Sequence, residues 1–347
     1  MHKELNRIVS RRRPIVTAAA VVALFASAVI SHGAGAPGTV QIDPNLPDYK
    51  SVQGISGSLN SVGSDSMNNL MTLWGEGFAK YYPNVKIQVE GKGSSTAPAA
   101  LIAGTAQLGP MSRPMKEEEI DKFEKKFGYK PAEYRTSIDA LAVYVNKDNP
   151  IKEMTMEQVD AVFSSTRLGG NSDITRWGQL GLTGEWANRP VSLYGRNSAS
   201  GTYGFFKEVA LFKGDYKSSV KEQPGSAAVV QGVTEDIGGI GYSGIGYRTS
   251  GVKMVALSKK QPQSALKRAT QKLVFYEPSY ENALKGNYPL SRFMYVYINQ
   301  KPNEPLDPLV REFMRFIFTK EGQEVVVKDG YDPLTAKMAE EELAKLK

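Results

Sequence analysis

Cysteine is absent from this 347-residue chain, and its two histidines, His2 and His32, both fall within the first 36 residues. Residues 37–347 therefore have neither. That excludes disulfide frameworks, thiol nucleophiles, Ser-His-Asp triads and zinc sites of the usual nitrogen and sulfur type. The acylated cysteine of a lipoprotein anchor is excluded with them. Excess charge is scarce as well. The formal net charge is +7, but Lys3, Arg7, Arg11, Arg12 and Arg13 against Glu4 place +4 of it in residues 1–36, which leaves +3 for the rest. A field that small gives no basis for nucleic-acid binding. There is no repeat of 20–50 residues, and no acidic cluster has the spacing of a metal site. The run Lys116-Glu117-Glu118-Glu119-Ile120-Asp121-Lys122 reads instead as the solvated first turns of a helix after Pro114, with acids near its N-terminus. No metal and no cofactor are expected.

The beginning of the chain has the form of an export signal. A basic segment ends at Arg13, an apolar run spans Ile15 to Ile30, and Ala34-Gly35-Ala36 supplies a small-x-small cleavage site. The apolar run is short and diluted for a membrane anchor. Ser10-Arg11-Arg12-Arg13 is a weak match to a twin-arginine signal, because Pro14 sits where an apolar residue is usual. Residues 1–36 are thus expected to be a cleaved signal peptide, and the remainder a soluble periplasmic protein. Residues 37–54, with Pro37, Pro44 and Pro47, read as an extended segment.

Beyond it, helical and strand patterns alternate, which argues for an α/β architecture. Val85–Val89 and Phe293–Ile298 have strand character, Leu141–Val145 is a buried strand, and Met154–Phe163 is an amphipathic helix. Helical spacing covers Pro308 to Val327, followed by a charged tail after Pro333. Gly238–Gly244 resembles a nucleotide loop, but it lacks a lysine and a long following helix, so a tight turn and strand are expected. Trp74, Trp177 and Trp186 are read as packing residues.

What the chain does contain is one device used repeatedly. Gly63-Ser64-Asp65-Ser66 precedes an amphipathic helix (Met67, Leu70, Met71, Trp74, Phe78), and Gly91-Lys92-Gly93-Ser94-Ser95-Thr96 opens a second. Arg196-Asn197-Ser198-Ala199-Ser200-Gly201-Thr202 precedes a third, expected over Tyr203–Phe212, and Pro110-Met111-Ser112-Arg113-Pro114 adds a hydroxyl and another arginine. Singly, each is ordinary capping. Together they suggest helix N-termini converging on one anion, whose charge the unpaired first amides and the helix dipole favour. Arg196 adds a planar fork suited to an oxyanion.

In their order and spacing these segments resemble the periplasmic phosphate-binding proteins that serve ABC-type phosphate importers. Gly239-Ile240-Gly241-Tyr242, Tyr288-Pro289-Leu290-Ser291-Arg292 and Glu321-Gly322-Gln323 extend the resemblance over nearly the whole chain. It implies a type II periplasmic binding protein fold, two α/β lobes joined by a two-strand hinge. Lobe I would comprise residues 55–138 and 291–347 and lobe II residues 140–289, with crossings near Ser137–Ala140 and Tyr288–Ser291. It further implies a monomer that binds inorganic phosphate through Asp65, Ser66, Ser94, Ser112, Arg196, Ser200, Gly201 and Thr202, with Ser64, Ser95 and Arg113 as further candidates. The partner implied is an inner-membrane ABC phosphate permease. Two positions depart from the family pattern: Ser112 and Ser198 stand where many members have aspartates. That leaves Asp65 as the only carboxylate in a proposed binding loop. Two other functions remain open on the residues, a binder of another tetrahedral oxyanion such as sulfate or arsenate, and a phosphoester hydrolase using a serine of Arg196–Thr202. Nothing evident in the sequence would activate such a serine.

Overall fold

The computed structural model describes residues 40–259 and 272–346. The proposed signal peptide lies outside the described residues. Residues 40–56 carry no helix or strand, as expected of an extended segment.

Two mixed sheets organise the chain. The first combines the parallel pair β1 (Gly57–Val62) and β2 (Val85–Glu90) with an antiparallel trio. In that trio β13 (Ser291–Ile298) lies between β3 (Gly109–Met111) and β4 (Ala132–Ala140). A parallel bridge from Ser61 to Leu108, just ahead of β3, ties the two ladders together. The second sheet has the order β10 (Val252–Met254), β5 (Ala142–Asn146), β9 (Gly239–Ser243), β7 (Ser192–Arg196), β8 (Lys221–Gln223). A small third sheet joins β6 (Glu153–Met154), β11 (Ala256–Ser258) and β12 (Phe275–Tyr276).

The chain leaves the first sheet where β4 ends at Ala140 and enters the second at Ala142. It returns where β13 begins at Ser291, directly opposite Ala140. The Leu141 amide donates to the Leu290 carbonyl (3.0 Å), so the two crossings are hydrogen-bonded neighbours.

Helices pack on these sheets through apolar faces. α1 (Asn68–Ala79) buries Leu70, Met71, Trp74 and Phe78 against β2 and the C-terminal helices. The Trp74 indole N–H finds the Gly322 carbonyl at 2.8 Å. α2 (Thr96–Ala103) covers β3 and ends at Gly104, whose φ of +70° is the left-handed cap that glycine takes without strain. α3 (Glu117–Phe127) starts on its three glutamates, as the charge pattern predicts. α4 (Met156–Phe163) begins on a Thr155/Gln158 capping box. α5 (Gly201–Val209) and α6 (Ser226–Glu235) belong to the second sheet, and α6 packs on β5, β7 and β9. α7 (Tyr280–Leu284) precedes the return crossing.

The helical spacing over Pro308–Val327 resolves into α8 (Pro308–Ile317) and α9 (Lys320–Lys328). Thr319 breaks it, with its hydroxyl donating to the Phe316 carbonyl at 2.7 Å. α10 (Ala336–Leu343) forms the charged tail. Trp177 is buried, and Trp186 meets it edge-on at 6.2 Å, so both serve packing. Gly239–Gly241 lies within buried β9, the strand expected there.

Candidate anion-binding site

Each glycine- and serine-rich turn follows the carboxyl end of a strand: 63–66 after β1, 91–95 after β2, 112–114 after β3 and 197–200 after β7. Strand ends in an open α/β sheet are where such turns can face a common ligand. Here they touch. The Ser95 amide (3.2 Å) and hydroxyl (3.1 Å) both donate to the Ala199 carbonyl, and the Gly93 amide donates to the Gly63 carbonyl at 2.8 Å. Gly93 has φ of +114°, and the Ala199 peptide occupies the space a Cβ would take. Only glycine meets both demands.

The side chains gather behind this backbone contact. Ser64 Oγ donates to Ser112 Oγ at 3.0 Å, and the Ser112 amide donates to Ser94 Oγ at 3.0 Å. Ser66 Oγ lies 2.7 Å from Thr202 Oγ1. Gly201 approaches so closely that a Cβ there would sit on Ser94 Oγ and 2.7 Å from Ser112 Oγ. Ser200 caps α5, accepting from the amides of Thr202 (3.1 Å) and Tyr203 (3.4 Å). That cap starts the helix at Gly201, two residues before the start expected from apolar spacing, and its last residue is Val209 rather than Phe212.

Arg196 ends β7 and is only 2 % exposed. Its Nη1 donates to Ser226 Oγ (2.7 Å) and lies 3.2 Å from Asp65 Oδ2, while Nη2 reaches the Pro224 carbonyl at 3.4 Å. Its Nε–H has no partner among the described residues. Burial pulls the guanidinium below its usual value and the Asp65 carboxylate pulls it back up; an arginine remains charged throughout. Asp65 does not cap its own helix. Its Oδ2 instead accepts from the Ser226 amide at 2.8 Å, the first residue of α6. Asp65 thus sits as an anion on Arg196 and on a helix N-terminus at once.

Ser64, Asp65, Ser66, Ser94, Ser112, Arg196, Ser200, Gly201 and Thr202 are therefore brought together. Ser95 is engaged by Ala199 at the rim. Arg113 is turned to Glu119, with Nη1–Oε2 at 2.8 Å and Nη2–Oε1 at 2.7 Å, a bidentate pair that answers its charge outside the cluster. Ser226, Arg292 and Asp139 join the cluster without having been site candidates, although Arg292 closes the Tyr288–Arg292 landmark and Asp139 lies in the Ser137–Ala140 crossing. Pro224-Gly225-Ser226 ahead of a helix carried the same signal as the other turns and could have found Ser226.

The cluster offers hydroxyls, helix-terminal amides, the two buried guanidiniums of Arg196 and Arg292 and the carboxylates of Asp65 and Asp139, with no histidine or thiol among them. That set can hold a tetrahedral oxyanion and gives a serine no evident base. Comparison with known proteins agrees in class. Residues 50–321 match the family model for the PBP superfamily domain. The chain is 56 % identical over 319 residues to the phosphate-binding protein PstS of Pseudomonas aeruginosa, covering 91 % of this chain and 96 % of that protein. It is 28 % identical over 294 residues to the phosphate-binding protein PstS of Staphylococcus haemolyticus, covering 84 % and 86 %. A crystal structure of a putative phosphate ABC transporter substrate-binding protein with bound phosphate, from Clostridium perfringens, superposes with a TM-score of 0.66 at 25 % identity, covering 80 % of this chain and 100 % of that one. An ABC-type phosphate transport receptor from Vibrio cholerae shares the fold, with a TM-score of 0.59 at 21 % identity and the same coverage. The fold is the α/β, type II periplasmic binding architecture. The chain belongs to the PBP superfamily and, within it, to the PstS phosphate-binding proteins.

Proposed function

We propose that the chain captures inorganic phosphate and delivers it to an ABC phosphate importer of the inner membrane. The observation that carries this reading is Arg196, a buried fork whose Nε–H has no partner among the described residues, facing Asp65 and the hydroxyl-bearing turns. It is a binding protein and not an enzyme. Ser200, one of the two serines of the Arg196–Thr202 run, has its oxygen engaged by two helix amides. A generic phosphoester incubated with the protein should stay intact. No helix among the described residues is long and apolar enough to cross a membrane. Export through the residue 1–36 leader, without a lipid anchor, would place the protein in the periplasm.

The proposed ligand set is Asp65, Ser66, Ser94, Ser112, Arg196, Ser200, Gly201 and Thr202, with Ser64 behind it. Ser95 and Arg113 are assigned to Ala199 and Glu119. Asp65 gives the set its selectivity. Sulfate at neutral pH carries no proton, whereas both common forms of phosphate do. A carboxylate accepts a hydrogen bond from the phosphate hydroxyl but opposes a bare sulfate oxygen. Asp65→Asn keeps the shape and removes the anionic acceptor. Calorimetric titration should show the phosphate-over-sulfate ratio falling roughly tenfold or more, on the order of 1.4 kcal/mol. A ratio unchanged in the variant would move discrimination away from Asp65.

The two lobes are proposed to meet across this ligand, with residues 55–138 and 291–347 on one side and 140–289 on the other. The chain passes between its two sheets at Leu141 and Leu290, two adjacent strands only, which suits a hinge. A ligand that bridges the lobes favours the closed form by its differential contacts. Saturating phosphate should therefore reduce the radius of gyration in solution scattering. An unchanged radius would remove the support for a hinge at these crossings.

A further inference from the structure

Arg292 stands on β13 opposite Asp139 on β4, beside both crossings, and its side chain is 3 % exposed. Its Nε (2.9 Å) and Nη2 (2.7 Å) both donate to Asp139 Oδ2. The other donors do not serve the ion pair. Nη1 holds the Ser112 carbonyl at 2.8 Å, and Nη2 also donates to Thr202 Oγ1 at 3.0 Å. The Asp139 carboxylate in turn accepts from the Ile245 amide at 3.0 Å. One buried pair thus touches the third turn, the α5 terminus and the segment after β9.

The contact with Thr202 has a directional consequence. A guanidinium has no acceptor, so Thr202 Oγ1 must accept from Arg292, and its own proton is left to point elsewhere. Thr202 Oγ1 then meets Ser66 Oγ at 2.7 Å, Ser66 Oγ lies 3.4 Å from Ser226 Oγ, and Ser226 Oγ accepts from Arg196 at 2.7 Å. A run of three hydroxyls is closed at each end by an arginine. Both end oxygens are acceptors toward their arginine; the two contacts within the run use two of its three protons, and when Ser226 donates to Ser66 and Ser66 to Thr202 the proton left over is that of Thr202. An acceptor-rich anion requires that polarity.

Resting on the phosphate reading above, we propose that Arg292, held by Asp139, is a positioning residue that fixes the Thr202 hydroxyl as a donor to the bound oxyanion. Arg292 acts through Thr202 without itself being a ligand. The test is a double-mutant cycle on phosphate affinity in the full chain. Arg292→Gln alone would strand a buried carboxylate, so it is paired with Asp139→Asn, which leaves a neutral amide pair. Arg292→Lys, which keeps the charge but loses the fork, serves as a second probe should the amide pair fail to fold. In the otherwise unsubstituted protein either change should weaken phosphate binding about tenfold, the scale of a hydrogen bond to a charged group. In a Thr202→Val background the same change should cost less than twofold further, while its effect on melting temperature persists in both backgrounds. Equal losses of affinity in both backgrounds, or no loss in the first, would overturn the assignment. The unsubstituted protein is titrated first; a failure to bind phosphate there is a failure of the function and not of this residue's role.

Discussion

Arg196→Ala should weaken phosphate binding by a hundredfold or more, about 3 kcal/mol, the largest affinity effect expected of any single substitution in this site. The guanidinium is almost wholly buried, so the charge it presents is not screened as a surface arginine would be. Its loss removes up to two charge-assisted hydrogen bonds to the anion and leaves the Asp65 carboxylate uncompensated beside that anion. The repulsion adds to the lost attraction. Arg196→Lys should recover only a minor part. A single ammonium gathers its three donors on one atom and cannot span Ser226 Oγ, the Pro224 carbonyl and a ligand, which the fork would reach from separate nitrogens. The fold should tolerate the change, because Asp65 keeps the Ser226 amide and is partly open to solvent. Calorimetric titration of a variant with native circular dichroism decides the matter. A dissociation constant near that of the unsubstituted protein would mean that the anion is held elsewhere.

Much of this site was legible because local chemistry encodes it. A glycine or serine turn ahead of an apolar helical period marks a helix N-terminus whatever the rest of the chain does, and Ser66, Ser94, Ser200 and Thr202 all lie where such turns place them. The same is true of the strands, where apolar alternation marks β2 and continuous apolar runs mark buried β5 and the Phe293–Ile298 part of β13. What could not be read is which turn meets which. Arg113 and Arg196 look alike in sequence, each beside hydroxyls and ahead of a helix. Glu119, six residues beyond Arg113, captures the first, and only the packing of α3 shows it. Asp65 could have capped its own helix or accepted from a ligand. In the structure it reaches α6, some 160 residues on in the chain, through the Ser226 amide. The placement of β13 between β3 and β4 is likewise a long-range pairing, and it is what brings Arg292 and Asp139 behind Thr202.

A further large effect lies outside the ligand set, in the loop between α9 and α10. Asp332 closes a backbone bridge with Ile138 of β4: the Ile138 amide donates to the Asp332 carbonyl at 2.8 Å, and the Asp332 amide returns the bond at 3.0 Å. This fixes a carboxyl group that is 2 % exposed and whose Oδ2 has no partner among the described residues. Burial, reinforced by the nearby Asp139 charge, pushes it up to about 7. Burial also pushes Asp329, three residues earlier, up to about 6, against a hydrogen bond from Asn69. In the unfolded chain both return to the ordinary aspartate value near 4. Between about pH 4 and pH 7 the native state therefore holds protons that the unfolded state has lost, and stability falls as pH rises through that window. For Asp332 alone a shift of this size corresponds to about 4 kcal/mol, fully present below about pH 4 and gone above the folded value. Asp332→Asn cannot ionise and keeps the same shape. It should leave stability near pH 4 almost unchanged and raise it at pH 8, with a melting temperature higher by about 5 °C for a chain of this size. Denaturation of both proteins across pH 4–8 checks the sign. A variant destabilised more at pH 8 than at pH 4 would mean that the Asp332 carboxyl is satisfied as an anion in the folded protein, and one shifted equally at every pH that its titration is unchanged by folding; either would overturn the reading that the fold selects the neutral carboxyl.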